Sequence, residues 1–183
     1  MGIYIRTFEF FMFVSVWIII FHKIKKKPLS QVTVIVTSCL LVIFGELINE
    51  FVTNTTKYNH FFLIYLPKTK IPISIIGGGI IFSLGIYVLS EILGKNFIRK
   101  PPYFISKKNS SLIIQIIIIL LFTIFAPLVE LSGISMDLWH WQHKIALSLG
   151  WWIGIMKYYF IFLYIPALFG VFISYLSSNK IKK

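Results

Sequence analysis

Along the chain, long apolar runs alternate with short polar stretches that are mostly basic. One run extends from about Ile3 to Phe21 and stops at His22-Lys23-Ile24-Lys25-Lys26-Lys27-Pro28. Others cover roughly Gln31 to Val52, Pro72 to Leu93, Ser111 to about Val129, and about Ala146 to Leu176. Each approaches or exceeds the ~20 residues a helix needs to cross hydrocarbon. The pattern predicts an all-α fold: a polytopic membrane helix bundle of about five transmembrane helices in a single domain, residues 1–183. The fourth helix should break near Pro127. The fifth is long enough to require tilt or a kink at Pro166.

Small residues punctuate two of these runs. Ser74, Gly77, Gly78, Gly79 and Gly85 in the third, and Gly150 and Gly154 in the fifth, predict faces where helix backbones approach closely. A phosphate-binding loop needs a preceding strand and a Gly-Lys-Ser/Thr ending, and the third run has neither. The stretch Thr53–Lys70 is not simply polar. Its segment Phe61-Phe62-Leu63-Ile64-Tyr65-Leu66 is too short to cross and is expected to lie in the interface or dip back into the membrane.

Composition agrees with a membrane protein. The 183 residues are 57% hydrophobic and 13% charged, with a mean hydropathy of +0.85, against about 25% charged in a soluble domain. The net charge of +12 would point to nucleic acid in a soluble protein. Here the bases flank the apolar runs and no soluble module is present, so no nucleic-acid partner is expected. With the N-terminus outside, twelve bases (Lys23, Lys25–Lys27, five in the loop Gly94–Ser110, three in the tail) are cytoplasmic and five (Arg6, Lys57, Lys68, Lys70, Lys144) are external. The positive-inside rule thus predicts N-out, C-in in the cell membrane. A sixth helix within Thr53–Lys70 would break this alternation. The first run has its charge after the apolar core and no cleavage site, unlike a signal peptide. Cys39 lies inside a span and reads as a small packing residue.

Chemistry is concentrated in two places. Glu46 and Glu50 are four residues apart near the end of the second run, so a regular helix would put both on one face, with Asn49 alongside. A charge at membrane depth costs ~3 kcal/mol or more, and such groups usually face a protein interior or a wet cavity. The second cluster runs from Ala126 to His143 and includes Pro127, Glu130, Gly133, Asp137, Trp139, His140, Trp141 and His143. Pro127 and Gly133 predict a bent or broken helix end, followed by a polar and aromatic stretch, Glu130–Lys144. Trp139 and Trp141 suit an interface. The predicted topology puts Glu46, Glu50, Glu130 and Asp137 in one leaflet.

Three kinds of site fit this set. Asp137, His140 and His143 are spaced i, i+3, i+6, and two of the three could share a helical face around a metal. A carboxyl in an apolar pocket can instead hold its proton at neutral pH and protonate an alkene, provided the resulting tertiary cation is stabilised. Aromatic faces stabilise cations, and Trp139, Trp141 and Tyr58 are candidates. The third possibility is structural, with the acids paired to Lys157 or capping helices. Lys157 could also snorkel outward. His22 and His60 read as interface residues, and Asn54-Thr55-Thr56 forms a glycosylation sequon on the predicted outer side.

The order of these features resembles the integral-membrane carotenoid biosynthesis family that includes carotenoid and bacterioruberin hydratases. The resemblance covers roughly Gly45 to Phe172. It is carried by a helix ending in acids (Glu46, Glu50), Thr55–Tyr58, Ile71-Pro72-Ile73 opening a span, the segment with Pro127 and Glu130, the Trp139-x-Trp141 pair, and Tyr-Ile-Pro at Ile165-Pro166. The chain is short for that family, and it reads Ala126-Pro127 where an Asp-Pro pair is expected. The resemblance implies a hydratase, a lyase, acting on the end group of a carotenoid in the bilayer without a cofactor. Glu46 or Glu50 would donate the proton and Glu130 or Asp137 direct water, with Asn49, Tyr58, Trp139 and Trp141 lining the substrate. The competing class is a non-enzymatic membrane protein, an assembly factor or small transporter component, in which these carboxyls would disperse rather than converge.

Overall fold

The computed structural model describes residues 2–24, 29–53, 56–59, 62–96, 107–141 and 149–180. The fold is all-α apart from one short ribbon. Its elements are α1 (Gly2–Ile24), α2 (Leu29–Ile48) running into a π-helical turn (Asn49–Thr53), β1 (Thr56–Tyr58), α3 (Ile73–Asn96), α4 (Lys107–Thr123), α5 (Ala126–Ser135), β2 (Trp139–Trp141), α6 (Leu149–Tyr159), a second π-helical turn (Phe160–Tyr164) and α7 (Ile165–Lys180). Among the described residues, four stretches are long and apolar enough to cross a membrane: Leu29–Thr53, Ile73–Gly94, Asn109–Ser135 and Leu149–Ser177. The chain is a membrane protein by this measure, and α1 adds a further helix of 23 residues.

Helix α3 is the hub and packs against α1, α2, α4 and α7, while α2 and α7 also pack together. The core is apolar, with Val34, Val42, Ile80, Leu84, Tyr87, Ile119, Tyr164, Ala167 and Val171 buried. Two tyrosine hydroxyls inside it are satisfied by near neighbours: Tyr87 donates to Ser30 Oγ at 3.0 Å and Tyr164 donates to the Phe122 carbonyl at 2.6 Å. Cys39 is a half-buried free thiol packed against this core, as a small packing residue should be.

Two of the breaks in the long helices lie just ahead of prolines. A proline lacks an amide proton, and its ring clashes with the carbonyl four residues back. Before Pro166 the helix widens into the π turn Phe160–Tyr164, which accommodates that clash without ending the helix. The fourth span is interrupted at Ile124–Phe125, and α5 begins at Ala126 with Pro127 in its first turn, where no intrahelical amide is needed. The expected end of this helix at about Val129 is therefore too early. The helix resumes and carries Glu130 within it.

One end of the bundle is closed by chain that is not helical. β1 pairs antiparallel with β2 in the register Thr56↔Trp141, Lys57↔His140, Tyr58↔Trp139. Residues 62–66 fold back on 71–73, with Leu66 N–H donating to Ile71 O at 2.8 Å and Ile73 N–H to Ile64 O at 3.0 Å. This segment is a short hairpin, not a sixth helix. It is fastened to α1 by Glu9, a buried carboxylate that accepts from the amides of Leu63 (2.9 Å) and Ile64 (3.0 Å). Ile5, Phe62 and Leu138 form a small second core beneath it. The start of α1, the end of α2, the start of α3 and the end of α5 thus meet at the ribbon end.

Candidate functional site

Beneath the ribbon lies a cavity of about 480 Å³, within the range that holds a drug-sized ligand. Its walls come from every part of the ribbon end: Phe8 and Met12 of α1, Val42, Gly45 and Glu46 of α2, Ile75, Gly78, Gly79 and Phe82 of α3, Glu130 of α5, and Tyr158, Tyr159, Phe162 and Leu163 from α6 and the π turn. The strands roof it. Side chains alternate across a β-strand, and Thr56, Tyr58, Trp139 and Trp141 line the cavity, while Lys57 and His140, cross-strand partners, are exposed.

Two carboxylates share this apolar space. Glu46 is 6% exposed and Glu130 8% exposed. Glu46 Oε1 accepts from the Tyr158 hydroxyl at 2.9 Å, and its Oε2 accepts a short hydrogen bond from Tyr58. Glu130 Oε1 accepts from the Tyr159 hydroxyl at 2.9 Å, and Oε2 from the indoles of Trp139 (2.8 Å) and Trp141 (3.2 Å). Burying a carboxylate costs several kcal/mol. Hydrogen bonds to a charged group contribute about 1.5–3 kcal/mol each, so three of them on Glu130 are of comparable size. Tyr58 is half-buried, but its hydroxyl end is enclosed. Burial first, and then the adjacent Glu46 charge, push this phenol well above the usual tyrosine range, so it is a hydroxyl donor at any ordinary pH.

Close packing sets these partners in place. A Cβ on Gly45 would lie 2.9 Å from the Phe162 ring, so this glycine lets the π turn press against α2 next to Glu46. Gly133, one turn beyond Glu130, is tighter. A Cβ there would stand 2.0 Å from the Trp139 ring, which occupies the space a side chain would take. Asn49 is buried and lines the cavity, and it also holds the ribbon: its Nδ2 donates to Thr56 O (3.3 Å) and its Oδ1 accepts from Thr56 N–H (3.1 Å).

Glu46, Glu130, Asn49, Tyr58, Trp139 and Trp141 therefore come together as the sequence leads one to expect. Glu50 and Asp137 do not. Glu50 is half-buried, does not line the cavity, and its Oε1 takes a long contact (3.4 Å) from the Lys70 amide. The expectation of one shared face assumed an unbroken α-helix. The π turn opening at Asn49 widens the spiral and rotates Glu50 away. Asp137 sits in the left-handed region (φ 55°) at the turn after α5, and its Oδ2 accepts from Asn59 Nδ2 at 2.8 Å. It is a turn residue. Lys157 is exposed, and the cavity carboxylates take tyrosine and tryptophan partners in place of it.

No group of three or more metal-ligating side chains forms among the described residues. Asp137 is held by Asn59, His140 points outward from the ribbon, and His143, like His60 and the sequon's Asn54 and Thr55, lies outside the described residues. Sequence reasoning missed Tyr158, Tyr159, Phe162 and Glu9. The tyrosines sit in a span crowded with aromatics, and only the positions of the two glutamates single them out.

No protein-family model, curated protein or solved structure matches the chain.

Proposed function

We propose that the chain is a membrane enzyme of isoprenoid metabolism that adds water across the terminal alkene of an acyclic carotenoid. The observation that carries this reading is that Glu46 and Glu130, from different helices, face one largely apolar cavity roofed by aromatic side chains. An apolar substrate with one reactive end needs such a surface, and proton transfer to and from carbon needs an acid and a base inside it.

The partners of the two carboxyls differ, and the difference assigns roles. An indole N–H can only donate, so the two on Glu130 Oε2 leave that oxygen no place for a proton. Each oxygen of Glu46 is bonded to a tyrosine hydroxyl, which turns to donate or accept as the proton leaves or returns, and the Asn49 side chain adds a further polar neighbour. Glu46 is accordingly the acid. It gives its proton to the less substituted alkene carbon and leaves a tertiary cation on the other. The Glu130 carboxylate and the faces of Trp139 and Trp141 stabilise that cation. Water adds to it and passes a proton to Glu130, and exchange with water resets both groups. The net change is addition of one water, and no cofactor is required.

The test is expression with an acyclic carotenoid and mass analysis of the lipid extract. Glu46→Gln and Glu130→Gln should each lower hydrated product by on the order of 100-fold or more, and Glu50→Gln and Asp137→Asn should leave the chemistry intact. If both cavity variants stay folded and keep wild-type product, the assignment is wrong. The second reading, a structural tie in a non-enzymatic protein, is favoured by the fact that every oxygen of Glu46 and Glu130 already has a donor. It predicts loss of thermal stability in the same variants, with no hydrated product even from the wild type.

The same reading places the chain in the plasma membrane with the ribbon end outside, supported by the basic stretches that join the opposite helix ends. Lys57→Cys should then react with a membrane-impermeant maleimide in intact cells and Ser177→Cys should not. The reverse pattern would invert the topology.

A further inference from the structure

The cavity has two chemically different parts. The carboxylates, tyrosine hydroxyls and indoles gather under the ribbon. The remainder is apolar and runs toward α1 along Gly78 and Gly79. Helices α1 and α2 each pack on α3, and the apolar part lies between them, with Phe8 and Met12 on one side and Val42 on the other. The two glycines of α3 differ. A Cβ on Gly79 would lie 2.7 Å from Val42, so this glycine is needed for α2 to seat. Among the described residues, a Cβ on Gly78 would meet only the end of Met12, at 3.9 Å. Helix packing therefore leaves Gly78 free to vary, and its missing side chain leaves open space in the cavity wall.

Size gives this space a use. About 480 Å³ holds a drug-sized ligand, enough for the end group and nearby carbons of a long polyene but not for the whole chain. The remainder must leave the cavity, and the surroundings that tolerate it are hydrocarbon. We infer that the cleft between α1 and α2, floored by Gly78 and flanked by Met12 and Phe8, is a lateral channel. Through it the linear apolar tail of the substrate extends into the bilayer while its end group sits between Glu46 and Glu130. Gly78 is then a specificity-determining residue that admits a long acyclic polyene tail. The inference rests on the hydratase reading for the chemistry of its ligand.

The experiment uses the full chain in phosphatidylcholine nanodiscs and a linear acyclic polyene carrying a diazirine near its far end. On irradiation, labelling should fall on the α1 peptide containing Phe8 and Met12 and be competed by unlabelled polyene. Gly78→Phe and Met12→Trp should each reduce it by roughly tenfold or more, as a ring fills volume the ligand needs. Gly85→Phe, on the same helix but facing open space, should not. Labelling that cannot be competed, or that is unchanged in both channel variants, overturns the inference. Competed labelling of a wild type that forms no hydrated product removes the hydratase reading and leaves the channel standing. Hydrated product from the wild type, with long-tailed substrate still hydrated at full rate by both channel variants, removes the channel and leaves the hydratase reading standing.

Discussion

The hydroxyl of Tyr158 on α6 donates to Glu46 at the end of α2 across 2.9 Å, and the next residue, Tyr159, makes the equivalent bond to Glu130 on α5. Neighbouring residues on a helix point about 100° apart, so one turn of α6 reaches both carboxyls at once. The two acids are held relative to each other through a single rigid element. Tyr158→Phe should leave Glu46 buried with one donor fewer, costing about 1–3 kcal/mol of stability. A thermal melt should show the loss. Hydration should fall as well, while Trp139 and Trp141 fluorescence, which reports on Glu130, stays near wild type.

Gly133 gives a sharper test of the other carboxyl. Its missing side chain is the space the Trp139 ring fills, and the Trp139 indole donates to Glu130. Gly133→Ala should displace the ring and cost about 1–3 kcal/mol through overpacking. The tryptophan emission should shift as the indole loses its carboxylate. An unchanged spectrum and melting temperature would mean that the ring does not sit where described.

Glu9 secures the hairpin that follows the ribbon. Its carboxylate takes the amides of Leu63 and Ile64, and Glu9→Ala would leave these two donors without their partner at about 1–3 kcal/mol. Hydrogen exchange at residues 62–66 should accelerate in that variant, with little change in α4 or α7. Exchange that rises throughout the bundle would show that Glu9 supports the whole fold and not the hairpin alone.

The helices were legible because an apolar run of membrane length has few other solutions, and the runs ending near Val52 and Leu93 match α2 with its π turn and α3 closely. Legibility fails where backbone departs from the regular helix. Glu46 and Glu50 are i, i+4 in sequence, but the π turn at Asn49 separates them, and no residue pattern announces a π turn. Trp139-His140-Trp141 shows the alternation of a strand, yet three residues are too few to distinguish a ribbon from an aromatic anchor at the interface. Glu130 was visible as a candidate. Its partners Tyr159 and Trp139 come from elements whose meeting depends on Gly133 being empty, which is a tertiary fact. Glu9 is a lone acid in an apolar helix, and its use is visible only with the folded-back segment beside it.

The alternation in the ribbon has a further consequence. Thr56, Tyr58, Trp139 and Trp141 look inward only while the two strands keep their present frame. Sliding one strand by a single position would exchange the parity of its side chains and send Lys57 or His140 into the greasy interior in place of a phenol or an indole. An insertion or deletion of one residue between Asn49 and Thr56, or between Ser135 and Trp139, should therefore be far more damaging than a substitution at most of those positions, whereas a change of two residues would preserve the parity.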